Sequence, residues 1–273
     1  QAAAKAALNG SQKEVEEMLE SLNKQSYKSF EVIIVDQNKD DRLVPIVNKY
    51  IDILSIKHVK SDILGASHNR NIGIKMATGD VIGFPDDDCV YETDTLLKVK
   101  NFFDFNENYY FYACNTKDFS GKHLRYSVSE DNITTRNFYR KGIEFTVFIK
   151  LNPQRYYFDE NFGIGQKYGN CEISEMILNM LSTGQKGKYF GNDFILHPYK
   201  NQSYSYDLTF RYGVGFGAMY KKAIVNYGQK NLIFQFVYYL MRNFIAIIVT
   251  KNKKYYIASL KGKMKGFNTY KED

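Results

Sequence analysis

Over residues 11–113, short apolar runs rich in β-branched residues alternate with segments of helical periodicity, and few folds accommodate that order. Val15, Met18, Leu19 and Leu22 recur at i, i+3, i+4 and i+7 behind the capping-box pattern Ser11-Gln-Lys-Glu14, which predicts a helix to about Lys24. Phe30-Glu-Val-Ile-Ile-Val-Asp36 then reads as a strand ending in an acid, followed by a helix over 43–50 and a strand over 51–59. Gly65 opens a loop into a helix over 67–78, which Gly79-Asp80 stops. Val81-Ile-Gly-Phe84 is a third strand and runs straight into Pro85-Asp86-Asp87-Asp88. A helix over 94–104 and an aromatic strand over 109–113 complete the series. Strands and helices in this alternation imply βαβ units, and hence an α/β fold around a mostly parallel sheet.

Beyond residue 115 the text is more polar and aromatic. Residues 145–149 read as a strand, and residues 171–183 as a helix with Ile173, Met176, Ile177 and Met180 on one face and Gly184 at its end. From Leu208 onward the pattern is mostly helical. With 44% hydrophobic and 25% charged residues among 273, the chain is long and apolar enough to bury a core, which excludes a disordered or collagen-like chain. Its three cysteines, Cys89, Cys114 and Cys171, are far apart and form no CxxC, which argues against a disulfide framework or a cysteine-rich zinc site and reads as a reducing compartment. Residues 1–10 (QAAAKAALNG) lack the basic-then-apolar pattern of a secretory leader.

Asp86 and Asp88 follow a strand, and ligands in open α/β sheets bind at the carboxyl ends of strands. At i and i+2 in extended chain the two carboxylates point to one side and suit a hard divalent cation, which prefers oxygen ligands. The alternative for a bare run of aspartates is an acidic surface turn. Arg70 sits at a helix start, where a cation opposes the helix dipole and needs a reason to be there.

Gly65-Ala-Ser-His-Asn-Arg70-Asn71-Ile-Gly73, followed by Ala77-Thr-Gly79-Asp80, an apolar strand and Asp86-Asp-Asp88, resembles the central signature of glycosyltransferase family 2, inverting enzymes of the GT-A fold. Phe30 to Arg42 resembles that family's second strand and its acidic, nucleotide-contacting turn. Phe158-Asp-Glu160-Asn-Phe162-Gly-Ile-Gly165 and Tyr168-Gly-Asn-Cys-Glu172 resemble the segment preceding its catalytic carboxylate. The resemblance covers roughly residues 11–220. It implies that Asp86 and Asp88 bind Mn²⁺ or Mg²⁺ and that the metal neutralises the diphosphate of a UDP-sugar donor. It also places Asp36, Gln37, Arg70 and Asp87 on the nucleotide. Residues 1–115 become the nucleotide-sugar-binding half, 116–207 the acceptor-binding and catalytic half, and 208–273 a helical extension.

An inverting transfer needs a carboxylate to take the acceptor hydroxyl's proton. Where the family usually carries Glu-Asp, this chain reads Glu172-Ile173, and Ile173 belongs to the apolar stripe. The base falls to Glu172, with Glu175 behind it on the same helix face; equally, both are first-turn acids that complement the helix dipole. His197, after a strand-like run, is placed as some relatives place a histidine that reaches the metal or the diphosphate; the alternative is a structural histidine at a strand end. Residues 1–9 stand where the family has its first strand, yet they are alanine-rich and favour helix.

The net charge of +7 is uneven: residues 221–273 hold 11 Lys/Arg against 2 Asp/Glu, and the first 220 hold 26 against 28. Arg211-Tyr-Gly-Val-Gly-Phe-Gly217 lacks the Gly-Lys-Ser/Thr ending of a phosphate loop and reads as a hinge or packing site. Leu232 to Val249 has 15 apolar or aromatic residues in 18, with Gln235, Tyr239 and Arg242 as a polar stripe and lysines at both ends. That combination predicts a helix lying in a membrane interface, with residues 221–265 against anionic lipid. Nucleic acid is not the expected partner, because the basic residues follow a greasy helix rather than an aromatic-lined groove. The resulting expectation is a bacterial, metal-dependent glycosyltransferase of surface polysaccharide assembly, peripheral to the cytoplasmic membrane face, acting on a glycan acceptor carried on lipid. The alternatives are a nucleotidyltransferase acting on sugar phosphates, and a non-catalytic membrane-bound scaffold that has lost its base.

Overall fold

The computed structural model describes residues 2–8 (backbone only), 12–123, 128–198 and 205–271. The Ser11 cap lies outside them, and the helix it was expected to start is α1 (Gln12–Asn23). The chain forms two compact units, Gln1–Tyr157 with Gln185–Lys200, and Phe158–Gly184 with Asn201–Asp273. The strand after residue 184 thus belongs with the sheet, while the helix before it belongs with the C-terminal helices.

The first unit is an α/β sheet. Strands β1 (Ala2–Leu8), β2 (Phe30–Asp36), β3 (Ser55–Lys60) and β4 (Val81–Gly83) lie in the order β3-β2-β1-β4, all parallel. Between them run α1, α2 (Val44–Tyr50) and α3 (Ala66–Met76). The alanine-rich start is therefore a strand, against its helix propensity. Its backbone is flanked on both sides, Ala4 pairing with Val32 of β2 and with Gly83 of β4, and a two-sided ladder outweighs a preference of a few tenths of a kcal/mol per residue. The second half of the sheet is mixed. It is built from β5 (Val90–Tyr91), β6 (Phe111–Lys117), β7 (Glu130–Ile133), β8 (Val147–Lys150) and β9 (Gly187–Leu196), with α4 (Thr95–Phe105) packed alongside. β8 is antiparallel to both β4 and β6, β9 is parallel to β6, and β5 and β7 are antiparallel to β9. The core joins Val15, Leu19 and Leu22 of α1 to Val32 and Ile34 of β2 and to Phe102, Tyr112 and Phe148.

A buried carboxylate fixes the turn before β4. Glu31 Oε1 accepts from Thr78 N (2.7 Å), Thr78 Oγ1 (2.7 Å) and Gly79 N (3.2 Å), and Oε2 pairs with Lys57 at 2.7 Å. Burial alone would push this acid up, but these partners bring it below the usual range. β4 is thereby delivered in register, with the aspartates at its carboxyl end.

The second unit is helical: α5 (Glu172–Ser182), α6 (Tyr206–Val225), α7 (Leu232–Val249) and α8 (Lys253–Thr269). The Gly-rich stretch lies inside α6 and serves packing, not a hinge. A Cβ at Gly217 would run into the Lys263 carbonyl, and one at Gly266 of α8 into the Val214 carbonyl. Alanine for glycine in mid-helix ordinarily gains about 1 kcal/mol. Here two backbones must separate, so Gly266→Ala is expected to cost about 2 kcal/mol instead, read as a lower urea midpoint at unchanged slope.

α7 also departs from expectation. Of its polar stripe, Gln235 and Tyr239 face the protein while Arg242 is exposed: Tyr220 Oη donates to Gln235 Oε1 (2.7 Å) and the Tyr239 ring stands edge-on to Phe216 (5.1 Å); Asn243 also faces inward, its Oδ1 accepting from Lys263 Nζ (3.1 Å). Only Leu232, Phe236 and Asn243 of this helix are buried.

Candidate active site

Three side chains converge at the carboxyl end of β4. Ligand atoms of Asp86, Asp88 and His197 all lie within 4.8 Å of one another. Asp86 and Asp88 come from the turn after β4, closed by Cys89 N donating to Asp86 O (3.2 Å). His197 comes from more than a hundred residues downstream. β5 pairs with β9 through Val90↔Leu196, so one step further along the antiparallel register His197 stands opposite Cys89, next to Asp88.

The imidazole geometry bears on metal binding. Nδ1 lies 2.9 Å from the Pro198 carbonyl, which only accepts, so Nδ1 carries the proton and donates. Nε2 lies 3.2 Å from Asp88 Oδ1, so it is the ring nitrogen on the side of the carboxylates. Metal-bound histidines characteristically donate their other ring nitrogen to a carbonyl or carboxylate, as Nδ1 does here. Phe145 stacks flat on the ring at 4.8 Å and fixes its plane. Two carboxylates and one imidazole fit a divalent ion of the Mn²⁺ type, leaving positions for phosphate oxygens. Arg70, buried on α3, donates from Nη2 to Asp86 Oδ1 at 3.0 Å and sets that carboxylate's direction.

Asp36 and Gln37, at the end of β2, do not join this cluster through any contact described. Asp36 is fully buried: Oδ1 accepts from Asn38 N (2.8 Å) and Nδ2 (2.7 Å), while Oδ2 lies 3.2 Å from His58 Nε2 and 3.1 Å from Lys60 Nζ. Burial opposes its charge, and these partners overcome it, holding the carboxyl below the ordinary range. Gln37 Oε1 accepts from Gly65 N (3.1 Å) and Asn69 Nδ2 (3.0 Å), tying β2 to the start of α3. Asp87 is half-buried beside them in the turn.

Within the helical unit, Glu172 opens α5 after Cys171, a non-glycine residue at φ +75°. Glu175, one turn in, pairs with Lys222 Nζ at 2.7 Å and accepts from Tyr227 Oη; Lys222 also reaches Asp159 Oδ2 at 2.8 Å. Burial pushes Glu175 above the usual carboxyl range, with Lys222 pulling against it. Lys222, flanked by two carboxylates, is held charged despite its own burial. Glu175 is thus bound into an internal ion cluster, and Glu172 is the acid at the helix tip.

The model of glycosyl transferase family 2 matches residues 6–167, more than half of the chain. The chain belongs to that family. Among curated relatives, the UDP-Glc:α-D-GlcNAc-diphosphoundecaprenol β-1,3-glucosyltransferase WfaP of Escherichia coli is 30% identical over 172 residues, covering 63% of this chain and 57% of that protein. The poly(ribitol-phosphate) β-N-acetylglucosaminyltransferase TarS of Staphylococcus aureus is 34% identical over 98 residues, covering 34% of this chain and 17% of TarS. The chain thus spans well under two thirds of the length of either. Among solved structures, S. aureus TarS 1–349 with UDP-GlcNAc aligns at TM-score 0.64 and 17% identity, covering 95% of this chain and 79% of that one. The mannosyltransferase PcManGT of Pyrobaculum calidifontis, with GDP-Man and Mn²⁺, aligns at 0.65 and 14%, covering 96% and 86%. The fold is GT-A.

In this family 2 chain, several residues beside the expected ones escaped sequence reading. Lys60 is the partner of Asp36 across the β2–β3 register, a signal that register prediction would have carried; His58 reaches the same carboxylate from two residues earlier. Lys222, Asp159 and Tyr227 gave no local signal, since Tyr227 meets Glu175 across 52 positions and Lys222, which also pairs with Glu175, meets Asp159 across 63.

Proposed function

We propose that the chain is an inverting, metal-dependent transferase that moves one sugar from a UDP-sugar to a glycan acceptor carried on lipid, in assembly of a bacterial surface polysaccharide. The observation that carries the reading is the Asp86–Asp88–His197 cluster at the end of β4 in a family 2 chain. Asp86, Asp88 and His197 would hold a divalent cation, which, when bound, supplies positive charge against the departing diphosphate. Arg70 orients Asp86. Glu172 is assigned the base: it takes the proton of the acceptor hydroxyl as that oxygen bonds to the anomeric carbon, and the bond from that carbon to the diphosphate oxygen breaks on the opposite face. Glu175 acts through position, its ion cluster holding the start of α5. The donor class follows what is bound in the TarS complex, and the lipid-linked acceptor follows the name of WfaP. The family assignment favours this over nucleotidyl transfer.

The deciding experiment measures nucleoside-diphosphate release from a panel of nucleotide sugars, with Mn²⁺, with Mg²⁺ and with chelator. UDP release from one sugar donor, abolished by chelator, is the expected result. Release that survives chelation overturns the metal role. Pyrophosphate formed from a nucleoside triphosphate and a sugar phosphate overturns the reaction class.

A further inference from the structure

Helix α7 is inside out. Three of its hydrophilic or partly polar side chains, Gln235, Tyr239 and Asn243, lie against α6 and α8, while Arg242 is exposed. Its opposite face carries Phe234, Val237, Met241, Phe244, Ile245 and Ile248, each between 48% and 77% exposed. A helix in contact with water arranges itself the other way round. Contiguous apolar exposure on this scale marks a docking surface. Among the described residues, this is the one helix long and apolar enough by length and composition to cross a membrane.

Charge decides between occupants. Lys230 precedes α7, and Lys251, Lys253 and Lys254 follow it; Lys261 and Lys265 lie exposed on α8. Between residues 230 and 271 there is no Asp or Glu. A second copy docked face to face would set lysines against lysines with no acid in this segment to pair them, a repulsive arrangement. An anionic lipid surface supplies both what the apolar face needs and what the lysines need. Spanning is disfavoured on the same grounds. α7 is packed on α6 and α8 through its polar side, so crossing a bilayer would carry the α8 lysines into hydrocarbon.

We propose that the outward face of α7 is a membrane-docking surface, lying parallel to the bilayer with its apolar side chains among the upper acyl chains and the lysines of α7's ends and α8 against lipid phosphates. The inference does not depend on the transfer reaction.

The test is flotation of the full chain with vesicles of phosphatidylcholine alone and of phosphatidylcholine mixed with phosphatidylglycerol. Binding to the mixed vesicles, weakened by salt, is the expected result. The pair Phe244→Glu and Ile248→Glu should abolish flotation with an unchanged thermal melt, since both side chains are exposed. The pair Lys253→Gln and Lys254→Gln should weaken it about thirty-fold. No flotation with either vesicle by a chain that melts cooperatively overturns the proposal. So does a lipid-free dimer that Phe244→Glu dissolves, because the face would then belong to a second copy. Both readouts stand whether or not the protein releases UDP.

Discussion

Asp88→Ala is expected to lower UDP release about a thousand-fold, roughly 4 kcal/mol of transition-state stabilisation. The argument rests on the contact between Asp88 Oδ1 and His197 Nε2 at 3.2 Å, with Nδ1 committed to the Pro198 carbonyl. The carboxylate and the imidazole present adjacent ligand atoms to a cation, so removing the carboxylate disables the site. Asp88→Asn sharpens the case. Its amide keeps the size of the side chain and removes the charge, so this variant should melt close to the wild-type temperature and yet be as inactive as the alanine variant. His197→Ala keeps both carboxylates and should recover part of its activity at high Mn²⁺, where Asp88→Ala should not. Wild-type release by Asp88→Ala in the presence of chelator would remove the cluster from the mechanism.

The second large effect is on stability. Lys222→Met leaves Glu175 and Asp159 without their shared cation. Their side chains are 2% and 19% exposed, so water cannot compensate. Breaking a buried ion pair from one side costs about 3–5 kcal/mol, and the loss should appear in urea unfolding. Adding Glu175→Gln should restore more than half of it. The pH dependence has a definite sign. The Asp159 carboxyl is buried, which raises it, but Lys222 and the Asn161 backbone hold it below its ordinary value. Its contribution is therefore present above the unfolded pKa and lost as pH falls through the depressed folded one. Glu175 is already raised, and in Lys222→Met it rises further. The folded variant then binds more protons than the unfolded chain, so its stability falls as pH increases. The deficit relative to wild type should be larger at pH 8 than at pH 5. An equal deficit at both would mean that Lys222 acts through packing alone. Because Glu172 sits one turn ahead of Glu175, transfer should fall in the same variant.

The sequence by itself determined the helices and strands whose signal is periodic within one segment. The stripe of α1, the run of β2, the stop at Gly79-Asp80 and the aspartates after β4 were legible because side chains three, four or two positions apart reveal their own element. It also singled out Asp86 and Asp88, through their place after an apolar strand and the resemblance carried by the text around them. Tertiary structure decided the rest. β1 is a strand because β2 and β4 flank it on both sides, a contact that no alanine run announces. β5 is two residues long, too short to carry a pattern, yet its pairing with β9 brings His197 to Asp88. Lys222 meets Glu175 only because α6 packs on α5, and Gln235, Tyr239 and Asn243 of α7 face inward only because α6 and α8 offer them Tyr220, Phe216 and Lys263. The physical reason is the same in each case. Local periodicity fixes which face of an element is apolar, but sheet register and helix packing fix what that face meets.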